Sequence, residues 1–315
     1  MTELQTRATP RVEQLLTAYA EAKARYAREL GERRLVFPDA TDFPDVYASD
    51  APSAERLLYR MQHHAGMSDI PIALRVAPFG AELEASSCSS GACAPVRAPS
   101  PRDFARVIDE GDSWTIGVPD VELRHPILLT TGLARALALI FVLETEEPGD
   151  APPTPLRIEL IAVLLGFGGL LLQGTHVYQK SCAGPRVDHF TLMNVDEAAF
   201  LTALMALDSG SNLKRLNSLV EVTQRAALSS AEDTLRLYPS FIRRLKLDPE
   251  AAAAFPPEPE APKGLVNRLL DRVRGNRDEA DDVVAFQKAL AQRPQPKALP
   301  PRPSQDIIDL VKSEL

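Results

Sequence analysis

Five residues of the chain have the chemistry to hold a metal ion together. They are Cys88, Cys93, Cys182, His176 and His189. Three thiolates and one imidazole would make a structural zinc site. Four residues separate Cys88 from Cys93, which is looser than the usual Cys-x2-Cys pair, and an odd number of cysteines does not favour a disulfide scaffold. Three interpretations stay open: a zinc site completed by His176 or His189, a redox-sensitive Cys88 and Cys93 pair, and thiols without a special role.

A second candidate for chemistry is a lone cation in an apolar segment. Arg135 is the only charged residue between Ile127 and Leu143. An unpaired cation buried in such a helix would cost several kcal/mol, so it needs a partner. Glu159, in the next apolar segment, would meet it if two antiparallel helices face each other, and a bidentate pair is the strongest arrangement. The other interpretation is that Arg135 extends to solvent at the helix edge.

The segments around Arg135 follow one another in a recognisable order. A strand and turn at 114–118 and 123–126 lead into the helical stretch 133–139, and the segments 156–168 and 191–200 come after it. This series, within residues 34 to 210, resembles the gluzincin-like zinc peptidases. The resemblance implies that 133–139 corresponds to their active-site helix. It also implies that 156–168 corresponds to the helix that supplies a carboxylate ligand, which would be Glu159.

The resemblance also identifies what is missing. An active helix of this family carries His-Glu-x-x-His, two zinc-binding imidazoles and a general base. Arg135, Ala136 and Leu139 stand in those three positions. A guanidinium about 4 Å from a divalent ion opposes binding by ~8 kcal/mol at an effective dielectric near 20. Structural zinc binds with about 10–16 kcal/mol, so one remaining carboxylate does not make a site. We therefore expect a pseudoenzyme without a cofactor at Glu159.

Composition excludes some partners and compartments. The 315 residues carry a formal net charge of −8, and no basic stretch with interleaved aromatic residues occurs. Nucleic acid and anionic membranes are therefore not expected partners. The N-terminal residues lack the pattern of a signal peptide. The most apolar segments, 127–143 and 160–172, are shorter than the ~20 residues that a membrane span requires. We expect a cytoplasmic protein with buried core helices.

The pattern of elements predicts an α+β fold that is predominantly helical, with a small sheet in a zincin-like core and C-terminal helices on Pro-rich linkers. Helices are predicted at 11–33, 52–65, 126–145, 155–178, 195–208 and 212–228, and strands at 70–76 and 114–118. The glycines at 166, 168 and 169 favour close helix packing. The predicted parts are an N-terminal helix (1–33), a degenerate zincin-like domain (34–230), a C-terminal helical region with a linker at 249–262 (231–293), a Pro-rich linker (294–303) and an amphipathic docking peptide (304–315).

The C-terminal peptide indicates how such a protein would act. Its apolar residues recur at helical spacing: Ile307, Ile308, Leu310, Val311 and Leu315. A stiff spacer that ends in a short amphipathic segment is a common way to present a peptide to a groove on another protein. We expect a non-catalytic scaffold, adaptor or regulatory protein that binds protein partners. The alternative is a zinc-binding hydrolase that uses the cysteines and a histidine; the oligomeric state is not indicated.

Overall fold

A computed structural model describes residues 10–77, 107–146, 152–181 and 184–260. The chain divides into two compact units, Met1–Pro262 and Lys263–Leu315. All the described residues belong to the first unit. Four parts of the predictions lie outside the described residues: residues 261–293 of the C-terminal helical region, the linker 294–303, the docking peptide 304–315, and Cys88 with Cys93.

Helices make up most of the described part, and the sheet is small, which confirms the predicted predominantly helical α+β class. The helices are α1 (Pro10–Arg25), α2 (Ala27–Leu30), α3 (Ala51–Ala65), α4 (Pro126–Thr145), α5 (Pro155–Ala162), α6 (Gly168–Gly174), α7 (Val195–Ser209), α8 (Leu213–Leu219), α9 (Val222–Leu235), α10 (Pro239–Leu247) and α11 (Pro249–Ala254). A 3-10 turn, Asp120–Arg124, precedes α4, and a π-helical segment, Val163–Phe167, joins α5 to α6.

Two apolar helical rods form the centre of the core. They are α4 and the continuous run Pro155–Gly174, each 20 residues long, and both are long and apolar enough to cross a membrane by length and composition alone. The expectation that the apolar segments are too short for a span was therefore wrong. In their most apolar windows, 67% and 83% of residues are buried inside the protein, which is the pattern of core helices in a soluble protein.

The second rod is not a uniform α-helix. At Gly166 the backbone has a φ of 99°, which frees the Gly166 carbonyl to accept a hydrogen bond from the Val36 amide at 2.9 Å. A side chain at this position would come within 2.4 Å of the Arg34 carbonyl oxygen. A side chain at Gly168 would come within 2.7 Å of the Thr202 hydroxyl. Close packing is confirmed for these glycines, whereas the uninterrupted helix predicted to 178 ends at Gly174.

Two small sheets complete the fold. In the first, β1 (Ile72–Ala77) pairs in parallel with β3 (Trp114–Pro119), and β2 (Val107–Asp109) pairs antiparallel with the other edge of β3. The strands predicted at 70–76 and 114–118 are confirmed. In the second, β4 (Val177–Ser181) and β5 (Gly184–Asp188) form an antiparallel hairpin that the sequence pattern did not predict.

The predicted boundaries at 33/34 and 230/231 fall inside one core. Leu16 and Tyr19 of α1, Leu235 of α9 and Phe241 of α10 are buried in the same apolar cluster as the central rods. The prediction of a linker at 249–262 is also wrong in part. It begins with helix α11, and the Glu260 amide donates to the Leu237 carbonyl at 2.6 Å. The residues up to Glu260 therefore fold back on the helices instead of spacing them apart.

Candidate functional site

Arg135 and Glu159 meet in the interior. Arg135 lies midway along α4 and Glu159 one turn into α5, and their side chains are 6% and 0% exposed. The Arg135 Nε lies 3.3 Å from the Glu159 Oε1. This supports the pair over the solvent-directed interpretation of Arg135. This contact is at ion-pair distance, and the expected bidentate arrangement of the two groups stays a prediction.

The Glu159 carboxylate has two further partners that explain its position. The Leu192 amide donates to Oε1 and the Met193 amide donates to Oε2, each at 2.8 Å. These amides come just before Asn194, whose side chain accepts from the Glu197 amide at 2.9 Å and caps α7. Asn194 is therefore the N-cap of α7. The carboxylate connects α4, α5 and the entry to α7.

Burial dominates the electrostatics of this pair. Burial raises the pKa of the Glu159 carboxyl, and the two amide hydrogen bonds and the Arg135 charge oppose that rise. Burial likewise lowers the pKa of the Arg135 guanidinium, and the Glu159 charge opposes that fall. A guanidinium stays protonated at ordinary pH even when its pKa is lowered. Arg135 therefore remains a cation, and the Glu159 carboxylate compensates its charge in an apolar interior.

Ala136 and Leu139, which the sequence resemblance singled out together with Arg135, carry no reactive group. Ala136 is 2% exposed in the core, and Leu139 packs partly buried against the same cluster. A methyl group and an isobutyl group neither coordinate a metal nor accept a proton. The structure therefore brings together Arg135 and Glu159, and the chemistry of the pair is that of a structural contact between three helices.

The two histidines of the alternative zinc site also come together. The ring centroids of His176 and His189 are 6.0 Å apart, and the His189 Nδ1 makes a short hydrogen bond with the Thr175 carbonyl oxygen. That bond makes Nδ1 the donor and leaves Nε2 for another partner. Cys88, Cys93 and Cys182 lie outside the described residues, as do the docking residues 307–315. Within the described ranges, no three His, Cys, Asp or Glu side chains cluster closely enough to hold a metal.

Sequence reasoning missed Leu192 and Met193. Both act through backbone N–H groups, which every residue except proline carries, so their identity leaves no signal in the sequence. The nearest indication is the capping pattern of Asn194 and Glu197, which marks where a turn must lie. Only the tertiary placement of that turn over α5 shows that a buried carboxylate receives these donors.

Comparisons of the chain with protein-family models, with curated proteins and with solved structures give no match. The resemblance of residues 34–210 to gluzincin-like peptidases therefore stays a prediction.

Proposed function

We propose that this protein is a non-catalytic scaffold or adaptor, a pseudoenzyme on a zincin-like body that holds protein partners in the cytoplasm. One observation carries the proposal: the Glu159 carboxylate forms an ion pair with Arg135 and accepts hydrogen bonds from the amides of Leu192 and Met193. A carboxylate used in this way is not available to bind a metal or to move a proton. Its neighbours in the degenerate motif, Ala136 and Leu139, have no chemistry to offer.

The energetics favour a structural role for the pair. Removing one member of a buried ion pair typically costs 3–5 kcal/mol, because the remaining charge is left without compensation. A divalent ion at the same place would have to displace the guanidinium and two amide hydrogen bonds. The pair therefore stabilises the arrangement of α4, α5 and α7, and a rigid body is what a scaffold needs.

Partner binding is assigned to the C-terminal segment 304–315. Its apolar residues follow helical spacing, and the Pro-rich stretch 294–303 would hold it away from the body. The net charge of −8 favours protein partners over nucleic acid. A segment this short is marginal as an isolated helix in water, so it would become ordered on binding its partner.

The partner assignment is tested with tagged protein incubated in an extract of the source cells. The full chain, a chain ending at Pro303 and the variant Leu310→Asp are compared, with Leu247→Asp as a matched control at a 79% exposed leucine of α10. We expect one protein to be retained in stoichiometric amount by the full chain and the control, and lost from the other two. Retention by the truncated chain would contradict the assignment. A fall in its melting temperature would show instead that 304–315 stabilises this protein.

The absence of catalysis is tested by metal analysis of the full chain. Purified protein and the variant Glu159→Gln are compared by mass spectrometry of their metal content after equilibration with zinc. We expect the variant to hold the same amount of zinc as the parent, because the proposal gives Glu159 no metal. Stoichiometric zinc that is lost from Glu159→Gln would overturn the non-catalytic assignment.

A further inference from the structure

A long groove lies between α1 and α5, and neither Arg135 nor Glu159 is among the residues that line it. Its cavity volume is about 460 Å³, and α1 lines it from Arg11 to Arg25. Those fourteen steps along a helix correspond to about 21 Å. The floor is apolar and includes Leu15, Leu160 and Met193. The groove is therefore elongated, with an apolar floor that runs along most of a four-turn helix.

Arginines mark both ends of the groove. Arg11 lies at one end, and Arg25 and Arg157 lie at the other. The side chains of Arg11 and Arg25 are each 48% exposed, whereas their carboxylate partners, Glu197 and Glu146, are only 14% and 8% exposed. These two carboxylates are thus largely covered, whereas the two arginine side chains are half-exposed. The lining also holds one exposed carboxylate, Glu21, so with its three arginines it keeps a net positive charge.

The end of the groove that carries Arg25 and Arg157 is held in place by a compact hydrogen-bond network. The Tyr26 hydroxyl donates to the Glu146 Oε1 at 2.6 Å and accepts from the Arg157 guanidinium at 2.6 Å. Glu146 also lies 3.1 Å from the Arg25 guanidinium. Burial raises the pKa of Tyr26 to about 12, with the Glu146 hydrogen bond adding to the rise, so the phenol keeps its proton and its donor role. Arginines that are positioned before a ligand arrives lose less freedom on binding it.

The geometry points to this groove as a docking site for an acidic amphipathic helix of about four turns from a partner protein. An apolar stripe on such a helix would cover the floor, and carboxylates near its two ends would reach Arg11 at one end and Arg25 with Arg157 at the other. A compact anionic ligand would engage only one end, because the two are about 21 Å apart. The residues that line the groove are not those of the segment 304–315, so the test of this site and the test of the proposed function can fail independently.

The test measures binding of two labelled helical peptides of fifteen residues by fluorescence anisotropy with the full chain. Both carry leucines at positions i, i+3, i+4 and i+7, and the other positions are mostly glutamate in one and lysine in its charge-reversed control. We expect the acidic peptide to bind at least ten-fold more tightly than the basic one. Raising the salt concentration should weaken this binding, since exposed charges are screened.

Variants locate the binding in the groove. Ala18→Trp fills the middle of the floor and should lower the affinity for the acidic peptide about ten-fold. Arg11→Gln removes one end charge and should lower it about three-fold. Arg236→Gln, directly after α9, is the matched control and should leave the affinity unchanged, because this arginine is 68% exposed and does not line the groove. If Ala18→Trp does not fold, Arg11→Gln at its half-exposed position decides the question.

Four results would overturn the proposal. One is failure of the acidic peptide to bind, and another is equal binding of the basic peptide. A third is displacement of the acidic peptide by decanoate at a concentration below that of the peptide, which would identify a small amphipathic anion as the occupant. The last is a dimer of the free protein in sedimentation that Ala18→Trp abolishes, which would identify a second copy of this chain.

Discussion

Two arginine contacts in this protein use the same chemistry in opposite surroundings. The Arg135 and Glu159 side chains are 6% and 0% exposed at a separation of 3.3 Å, whereas those of Arg236 and Asp233 are 68% and 66% exposed at 2.6 Å. The shorter contact is the weaker one energetically, because water solvates both charges and salt screens them. Burial, and not distance, decides what an ion pair contributes, since only the buried partners lose their alternative in water.

The largest expected effect comes from removing one buried charge. Glu159→Ala leaves Arg135 without its carboxylate and the amides of Leu192 and Met193 without an acceptor. We expect the free energy of unfolding to fall by about 3–5 kcal/mol. The matched change on the surface, Asp233→Ala, should cost less than about 1 kcal/mol. Urea unfolding of the two variants measures both, and similar losses would contradict the contrast.

A double-mutant cycle tests whether the buried pair is coupled. In Arg135→Met with Glu159→Gln, neither charge remains and the glutamine oxygen can still accept from one amide. The double variant should therefore lose less free energy of unfolding than the sum of the two single losses, with a coupling energy of about 2 kcal/mol. The surface cycle of Arg236→Gln with Asp233→Asn should give less than about 0.5 kcal/mol. Additive losses at the buried site would mean that the two charges act independently.

The smallest effect is on pH dependence. Burial raises the pKa of Glu159 above its ordinary value of 4.5, so the folded protein binds this proton more tightly than the unfolded chain does. Between the ordinary and the raised value the folded state holds more protons, and its stability falls as the pH rises. Relative to Glu159→Gln, the parent should lose stability as the pH is raised from about 4 through the weakly acidic range. Urea titrations across that range give the slope of the unfolding free energy against pH, and a relative stability that rises with pH would contradict this prediction.

Local sequence patterns predicted the helices and strands that neighbouring residues determine. Helix α4 was predicted at 126–145 and runs from Pro126 to Thr145, because a proline suits the first turn and the apolar residues that follow continue a helix. The strands β1 and β3 follow from alternating or continuous apolar residues. Arg135 and Glu159 were expected to meet because a cation in an apolar helix needs a carboxylate.

The elements that were missed have causes far away in the chain. The hairpin of β4 and β5 exists through pairing between strands, such as Tyr178 with Val187, and the helical pattern of 155–178 continued into it. The break at Gly166 depends on the Val36 amide, which comes from a distant segment. The linker predicted at 249–262 contains α11, and the Glu260 amide donates to the Leu237 carbonyl, a contact that also depends on a distant part of the chain.

The amino-acid sequence by itself determined that this protein is mostly helical, that α4 and α5 are apolar, and that Arg135, Ala136 and Leu139 offer no metal ligand. Tertiary structure alone decided that Glu159 accepts two backbone amides, and that arginines from α1 and α5 converge above buried carboxylates. The physical reason is that composition and periodicity are properties of neighbouring residues. Backbone donors and charge arrangement in space depend on which distant segments packing brings together.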